Sequence, residues 1–234
     1  MTDLLLLPGL MCDRAIWAPV LPWLEPLARV SVAAYADCDS ITTMAERALS
    51  GAPERFALAG HSMGGRVALE ILRRAPQRVE RVALLDTGFQ ARAAGEAGEA
   101  ERKQRLSLLD LARREGMRAM GAVWLIGMVP PQRLADRALI DAIADMVARH
   151  SADQFEAQIT ALLGRPDATD LLSAIACPTL IACGRLDAWS PLSRHEEMAR
   201  RVPASRLAVF EDCGHMAPME APDIVGSALA RWLA

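Results

Sequence analysis

Six short apolar runs punctuate the chain, at residues 4–7, 30–35, 56–59, 82–85, 179–183 and 207–210. Turn-forming residues bound each run, and within a run the apolar positions are nearly continuous rather than alternating. Strands covered on both faces in a parallel sheet read this way. Helical patterns separate most of the runs. Ser40 is placed to cap a helix over 41–49, and 63–74 forms another, with Val67, Leu69, Ile71 and Leu72 supplying its apolar contacts. Ser190 and Pro191 offer a cap residue and a first-turn proline before 192–201, and Pro222 opens a last helix over 223–233. This alternation predicts an α/β fold, a doubly wound and mainly parallel sheet with helices on both faces.

The rhythm breaks once. Residues 89–174 contain no convincing strand but several helical stretches: 99–118, an apolar run at 120–131, 134–149 and 152–163. So long an interval is not a structureless loop in a compact domain. The expected organisation is an α/β domain built from 1–88 and 175–234, with 89–174 inserted as a helical cap over the edge or mouth of the sheet.

Composition narrows the chemistry. The net charge is −3, which gives no sign of a nucleic-acid or basic membrane-surface protein. Lys103 is the one lysine, and asparagine is absent. No GK[ST] sequence occurs, so a P-loop is excluded, and Lys103 sits in a charged run where nothing would lower its pKa for Schiff-base chemistry. A Cys-His-Asn triad is excluded for want of asparagine. The N-terminal apolar run stops after four residues at Pro8-Gly9, too short for a signal peptide, and the 120–131 run is too short to span a membrane. Five cysteines without a CxxC pair read as buried thiols in a reducing compartment, and the expected location is the cytoplasm.

The third apolar run ends in Gly60-His61-Ser62-Met63-Gly64-Gly65, a G-x-S-x-G sequence between a strand and a helix. A sharp strand-to-helix turn there lifts Ser62 above the sheet as a candidate nucleophile, and Gly60 and Gly64 keep the turn free of collision. Of four histidines, His215 lies on the loop after the last strand, on the same rim as Ser62, and is the expected general base. His61 lies inside the turn and points elsewhere, while His150 and His195 suit surface or capping positions. Two aspartates follow strands ahead of His215. Asp187 is preferred as the group that orients the imidazole, with Asp86 as the alternative. Backbone N–H groups of Met63, after the nucleophile, and of Leu10, on the Pro8-Gly9-Leu10-Met11 loop, are the expected oxyanion donors.

In order and context, PGLM, GHSMGG, GRLDAWSP and DCGHMAPME resemble the α/β-hydrolase superfamily, in its small carboxylesterase and methyl-esterase branch. The resemblance covers essentially the whole chain, and the segment Phe155…Gln158…Arg165-Pro166-Asp167 is also similar to members of that branch. It implies Ser62, Asp187 and His215 as a triad, Leu10 and Met63 as oxyanion donors, and acyl transfer to water with no cofactor or metal. There are two departures. Many relatives carry His-Gly where this chain has Pro8-Gly9. The usual N-terminal hairpin also has no residues to build it, so six strands are expected. Serine at 62 argues against dehalogenase and epoxide-hydrolase chemistry, which in relatives uses a carboxylate nucleophile.

A small or medium, largely apolar ester is the expected substrate, held by Met11, Phe89, Trp124, Met128 and Trp189, with Met117, Met120 and Leu125 as further candidates. Six basic residues between Arg102 and Arg118 outnumber Asp110 and Glu115, for a net +4. A solvated helix face is the favoured reading of that charge, with docking of an acidic acyl-carrier protein as the less favoured one. The alternatives to an esterase are a ligand-binding or signalling receptor on a hydrolase scaffold, or a cofactor-free lyase or perhydrolase.

Overall fold

The computed structural model describes residues 1–234. Its strands are β1 (Thr2–Leu7), β2 (Ala28–Val32), β3 (Phe56–His61), β4 (Val79–Leu85), β5 (Thr179–Gly184) and β6 (Ser205–Phe210). They form one sheet in the order β2-β1-β3-β4-β5-β6, and every neighbouring pair is parallel. Parallel neighbours cannot be joined by tight hairpins, so each link crosses over the sheet. All the strands therefore end on one rim, where the connecting loops gather.

Double coverage holds in the centre of the sheet and fails at its edges. Every residue of β3 and of β5 is buried. The edge strands β2 and β6 alternate or expose their residues, because each has a neighbour on one side alone. The second strand also begins and ends earlier than the apolar run at 30–35. Tyr35 leaves the sheet and donates its hydroxyl to the Pro8 carbonyl at 3.2 Å, so its bulk serves the β1 loop rather than a strand.

The longer helices are α1 (Ile41–Gly51), α2 (Met63–Arg74), α3 (Gly95–Glu115), α4 (Met117–Leu125), α5 (Arg137–Ala148), α6 (Ala152–Leu163), α7 (Leu192–Arg201) and α8 (Pro222–Leu233). Local chemistry explains their ends. Ser40 Oγ accepts the Thr43 N–H at 3.0 Å to start α1. Ser151 and Gln154 form a reciprocal capping box at α6. Gly116, at φ 89°, separates α3 from α4, a break within the stretch expected as one helix. The start of α7 also differs from expectation: Pro191 occupies the cap position, and the Ser190 N–H goes to Asp187 instead.

Helix α2 packs on β1, β3 and β4, and α8 packs on β4, β5 and β6. The four helices between β4 and β5 do not form a core of their own. Their buried residues, such as Leu109, Ile143 and Phe155, belong to the same apolar cluster as the sheet. All five cysteines are free thiols, and no helix is long and apolar enough to cross a membrane.

Central and edge strands should respond differently to truncation. Leu58→Ala, at a fully buried site on β3, is expected to cost about 2–5 kcal/mol. Leu207→Ala, on β6 and 39% exposed, should cost less than about 1 kcal/mol. Urea unfolding midpoints of the two variants measure the contrast.

Candidate active site

Ser62 joins β3 to α2 with φ 54° and ψ −117°, a backbone conformation that side chains disfavour. The turn closes because two glycines allow backbone to touch backbone. A methyl group on Gly60 would strike the Gly64 carbonyl, and one on Gly64 would strike the Leu7 carbonyl. Hydrogen bonds then fix the serine. Its N–H donates to the Leu85 carbonyl at 2.9 Å, and the Thr87 hydroxyl donates to the Ser62 carbonyl at 2.6 Å.

The structure brings Ser62, His215 and Asp187 into one hydrogen-bonded line. Ser62 Oγ lies 2.8 Å from His215 Nε2, and His215 Nδ1 lies 2.8 Å from Asp187 Oδ2. The second Asp187 oxygen accepts the N–H groups of Trp189 and Ser190, both at 2.8 Å. Burial works to raise the Asp187 pKa, but the imidazole beside it and these N–H groups outweigh burial and hold it below the usual carboxylate range. Asp86 stands elsewhere: its Oδ1 accepts the Gly184 N–H at 2.9 Å, tying β4 to β5. Burial, then the charge of Asp187, push its carboxyl well above the ordinary range. The geometry pairs His215 with Asp187, not with Asp86.

The loop carrying His215 is braced on several sides. Glu220 accepts the Gly214 N–H at 3.0 Å and the Met216 N–H at 2.9 Å, one on each side of the histidine. The His215 N–H donates to the Met128 carbonyl at 2.9 Å, and its own carbonyl lies 2.7 Å from His61 Nε2. Burial holds His61 down at about 3, so this ring stays neutral and acts as a donor behind the site. His195 corrects an expectation. It is fully buried rather than at the surface, because it faces the sheet from α7. Its Nε2 accepts the Thr87 N–H at 3.0 Å, which places the proton on Nδ1, 3.2 Å from the Pro191 carbonyl. Burial lowers its pKa to about 4.

Leu10 and Met63 both border the cavity above Ser62. The N–H of Met63, at the first position of α2, has no acceptor within the helix. The Met11 N–H is taken by Gln158 Oε1 at 2.9 Å, which ties the β1 loop to α6. Sequence alone did not distinguish Gln158 or Glu220 as bracing residues, since each acts on a backbone group far along the chain or across a loop.

The cavity measures about 750 Å³. Trp124, Met128 and Trp189 line it, whereas Met11 and Phe89 do not. Met11 is buried in the β1 loop, and Phe89 is buried with its carbonyl accepting the Ala168 N–H. Met117, Met120 and Leu125 turn into the core as well. The lining also departs from the apolar surface expected, because Arg66, Arg105, Arg165 and Arg194 reach it together with Glu101. Arg66 had a local signal in its position one helical turn beyond Ser62; the other arginines arrive from distant segments. Half of the basic stretch at 102–118 is paired, Arg105 with Glu101, Arg113 with Glu156 and Arg118 with Asp145, while Arg102, Lys103 and Arg114 are exposed and make no ion pair. No group of three or more His, Cys, Asp or Glu side chains is arranged to hold a metal ion.

Comparison with known proteins agrees with this architecture. A family model described as "Alpha/beta hydrolase family" matches residues 4–228. A pimeloyl-[acyl-carrier protein] methyl ester esterase of Aromatoleum aromaticum is 29% identical over 237 residues, covering 94% of each chain. A thermophilic esterase from Thermogutta terrifontis, solved with malate bound, superposes with a TM-score of 0.88 at 28% identity, over all of this chain and 89% of the other. The enol-lactonase from Burkholderia xenovorans LB400 shares the fold, at TM-score 0.83 and 20% identity, over all of this chain and 92% of its own.

Two stability measurements test the site's physical reading. Relief of the Ser62 backbone should make Ser62→Gly more stable than Ser62→Ala by about 1 kcal/mol, read from paired urea titrations. His61 and His195 ionise less readily folded than unfolded, at about 3 and about 4 against 6.5. The unfolded chain therefore binds more protons below pH 6.5. Stability from these rings is complete above that pH and is lost as pH falls toward 4, each ring adding up to about 1.4 kcal/mol per pH unit. Unfolding at pH 7, 6 and 5 should show this slope, and His195→Gln should make it shallower.

Proposed function

The chain belongs to the alpha/beta hydrolase family, and from that membership and the site geometry we propose a serine hydrolase that cleaves a small or medium carboxylic ester. The observation that carries this reading is the unbroken line Ser62 Oγ, His215 Nε2, His215 Nδ1, Asp187 Oδ2, each contact 2.8 Å.

Ser62 Oγ attacks the ester carbonyl carbon as its proton passes to His215 Nε2. The carbonyl oxygen becomes an oxyanion, held by the N–H groups of Leu10 and Met63. Asp187 keeps the proton on Nδ1 and steadies the imidazolium that forms. When the C–O bond breaks, His215 returns the proton to the departing alcohol and leaves an acyl-Ser62. Water repeats the sequence: it gives a proton to His215, attacks the acyl carbon and releases the acid, and the proton returns to Ser62 Oγ. Residues 1–88 and 175–234 make the catalytic domain in this reading, and 89–174 form its lid. Support for the lid comes from Trp124, Met128 and Leu162, which border the cavity from that segment.

The Aromatoleum relative is named for a carrier-protein substrate, and an acyl-carrier protein is accordingly a candidate partner here. The pairing of Arg113 and Arg118 with carboxylates of neighbouring helices reduces the free positive charge of a docking face to that of Arg102, Lys103 and Arg114. A small-molecule ester remains the favoured substrate.

A fluorophosphonate should label Ser62, and mapping the modified peptide identifies the site. Ser62→Ala should lose labelling and lower kcat/KM for a short p-nitrophenyl ester by at least about a thousandfold. A label on another residue, or ligand-dependent thermal shifts with no turnover, would replace the hydrolase reading by a different mechanism or by a receptor.

A further inference from the structure

The cavity wall carries more positive charge than the protein balances. Four guanidinium groups border the cavity against a single carboxylate, Glu101. That carboxylate is already engaged. Arg165 forks onto both of its oxygens at 2.6 and 2.8 Å, and Arg105 Nε reaches it at 3.0 Å. Arg66 and Arg194 are left with carbonyl partners alone: Gln90 at 2.8 Å for Arg66, and Trp189 at 3.3 Å for Arg194.

These two arginines converge. A Cβ built on Gly88 would lie 2.8 Å from Arg66 Nη2 and 3.2 Å from Arg194 Nη1, so those nitrogens are at most 6.0 Å apart, the sum of the two distances. Gly88 has no side chain to fill the space beside them, and it borders the same cavity as Ser62. A carboxylate can bridge two guanidinium groups so placed, one oxygen to each. Burial, followed by the charges of Arg165 and Arg194, presses the Arg66 pKa down to about 9. The surroundings therefore resist the charge that Arg66 carries, and an incoming anion relieves that cost. Arg66 also stands one helical turn beyond Ser62, on the helix that the serine begins.

We propose that Arg66 and Arg194 bind a carboxylate of the substrate, so that the ester presented to Ser62 is an anionic one, such as the monoester of a short dicarboxylic acid. The inference rests on Ser62 as nucleophile. It replaces a uniformly apolar substrate by one with an apolar middle, against Trp124 and Met128, and a charged end.

The test uses the full chain, calorimetric titration with adipate, and hydrolysis of monomethyl against dimethyl adipate. Adipate should bind the wild type, and Arg66→Gln and Arg194→Gln should each weaken that binding by about ten- to hundredfold. Both variants should lower the monoester-to-diester ratio of kcat/KM by a similar factor, chiefly through KM for the monoester. If O-acetylglycolate over methyl acetate shows the arginine-dependent preference instead, the carboxylate lies on the alcohol side and the site stands. Absence of adipate binding to the wild type, or equal binding and equal ratios in all three proteins, overturns the proposal. Phosphonate labelling of the same preparations separates this from the parent reading. Label and diester cleavage without any carboxylate preference sink the anion site alone. Arginine-dependent adipate binding without label or turnover sinks the nucleophile assignment alone.

Discussion

The backbone of Ser62 is the constraint on which the rest of the structure depends. A residue at φ 54° and ψ −117° survives because its surroundings over-determine it. Gly60 and Gly64 let α2 approach β1 and β3 more closely than any side chain would permit. The Leu85 carbonyl and the Thr87 hydroxyl, both from the next strand and its loop, then secure the serine's own N–H and carbonyl. The parallel sheet supplies the remainder. Its loops after β1, β3, β5 and β6 all emerge on one rim, so residues as far apart as Leu10, Ser62, Asp187 and His215 meet there.

Around that serine the buried polar groups divide by what they face. Asp187 keeps its charge because N–H donors and an imidazole surround it, while Asp86, equally buried, has one N–H and a like-charged neighbour. Their carboxyl groups are driven in opposite directions by this difference. The histidines divide in the same manner. His61 and His195 are shielded and stay neutral, bonding to backbone, whereas His215 alone touches both Ser62 and a carboxylate. Glu220, Gln158 and the Met128 carbonyl act on backbone N–H groups of the loops. Two of those three braces come from the helical segment between β4 and β5, which also borders the cavity.

The cavity joins two kinds of surface. Aromatic and thioether side chains form one part, and a cluster of guanidinium groups with too few carboxylates forms another. This arrangement explains why a reading of hydrophobic residues alone described the pocket incompletely. Met11 and Phe89 are large and apolar, but they pack inward, and Arg66 and Arg194, both partly buried, border the cavity instead.

Sequence by itself determined what local periodicity and local chemistry can specify. The six apolar runs, the cap at Ser40, the turn at Gly60–Gly64 and the membership of Ser62 in a strand–turn–helix element each rest on a few adjacent residues. Solvent exposure at the sheet edges was less legible, since an apolar run does not record how many neighbours its strand will have. The tertiary structure decided everything that requires two distant segments to meet. It assigned Asp187 rather than Asp86 to His215, buried His195 where its charged neighbours in sequence suggested a surface, and gathered Arg66, Arg105, Arg165 and Arg194 around one cavity. The reason is physical. Hydrogen-bond geometry and unscreened charge act over a few ångströms of space, and residues that far apart along the chain become neighbours through packing alone.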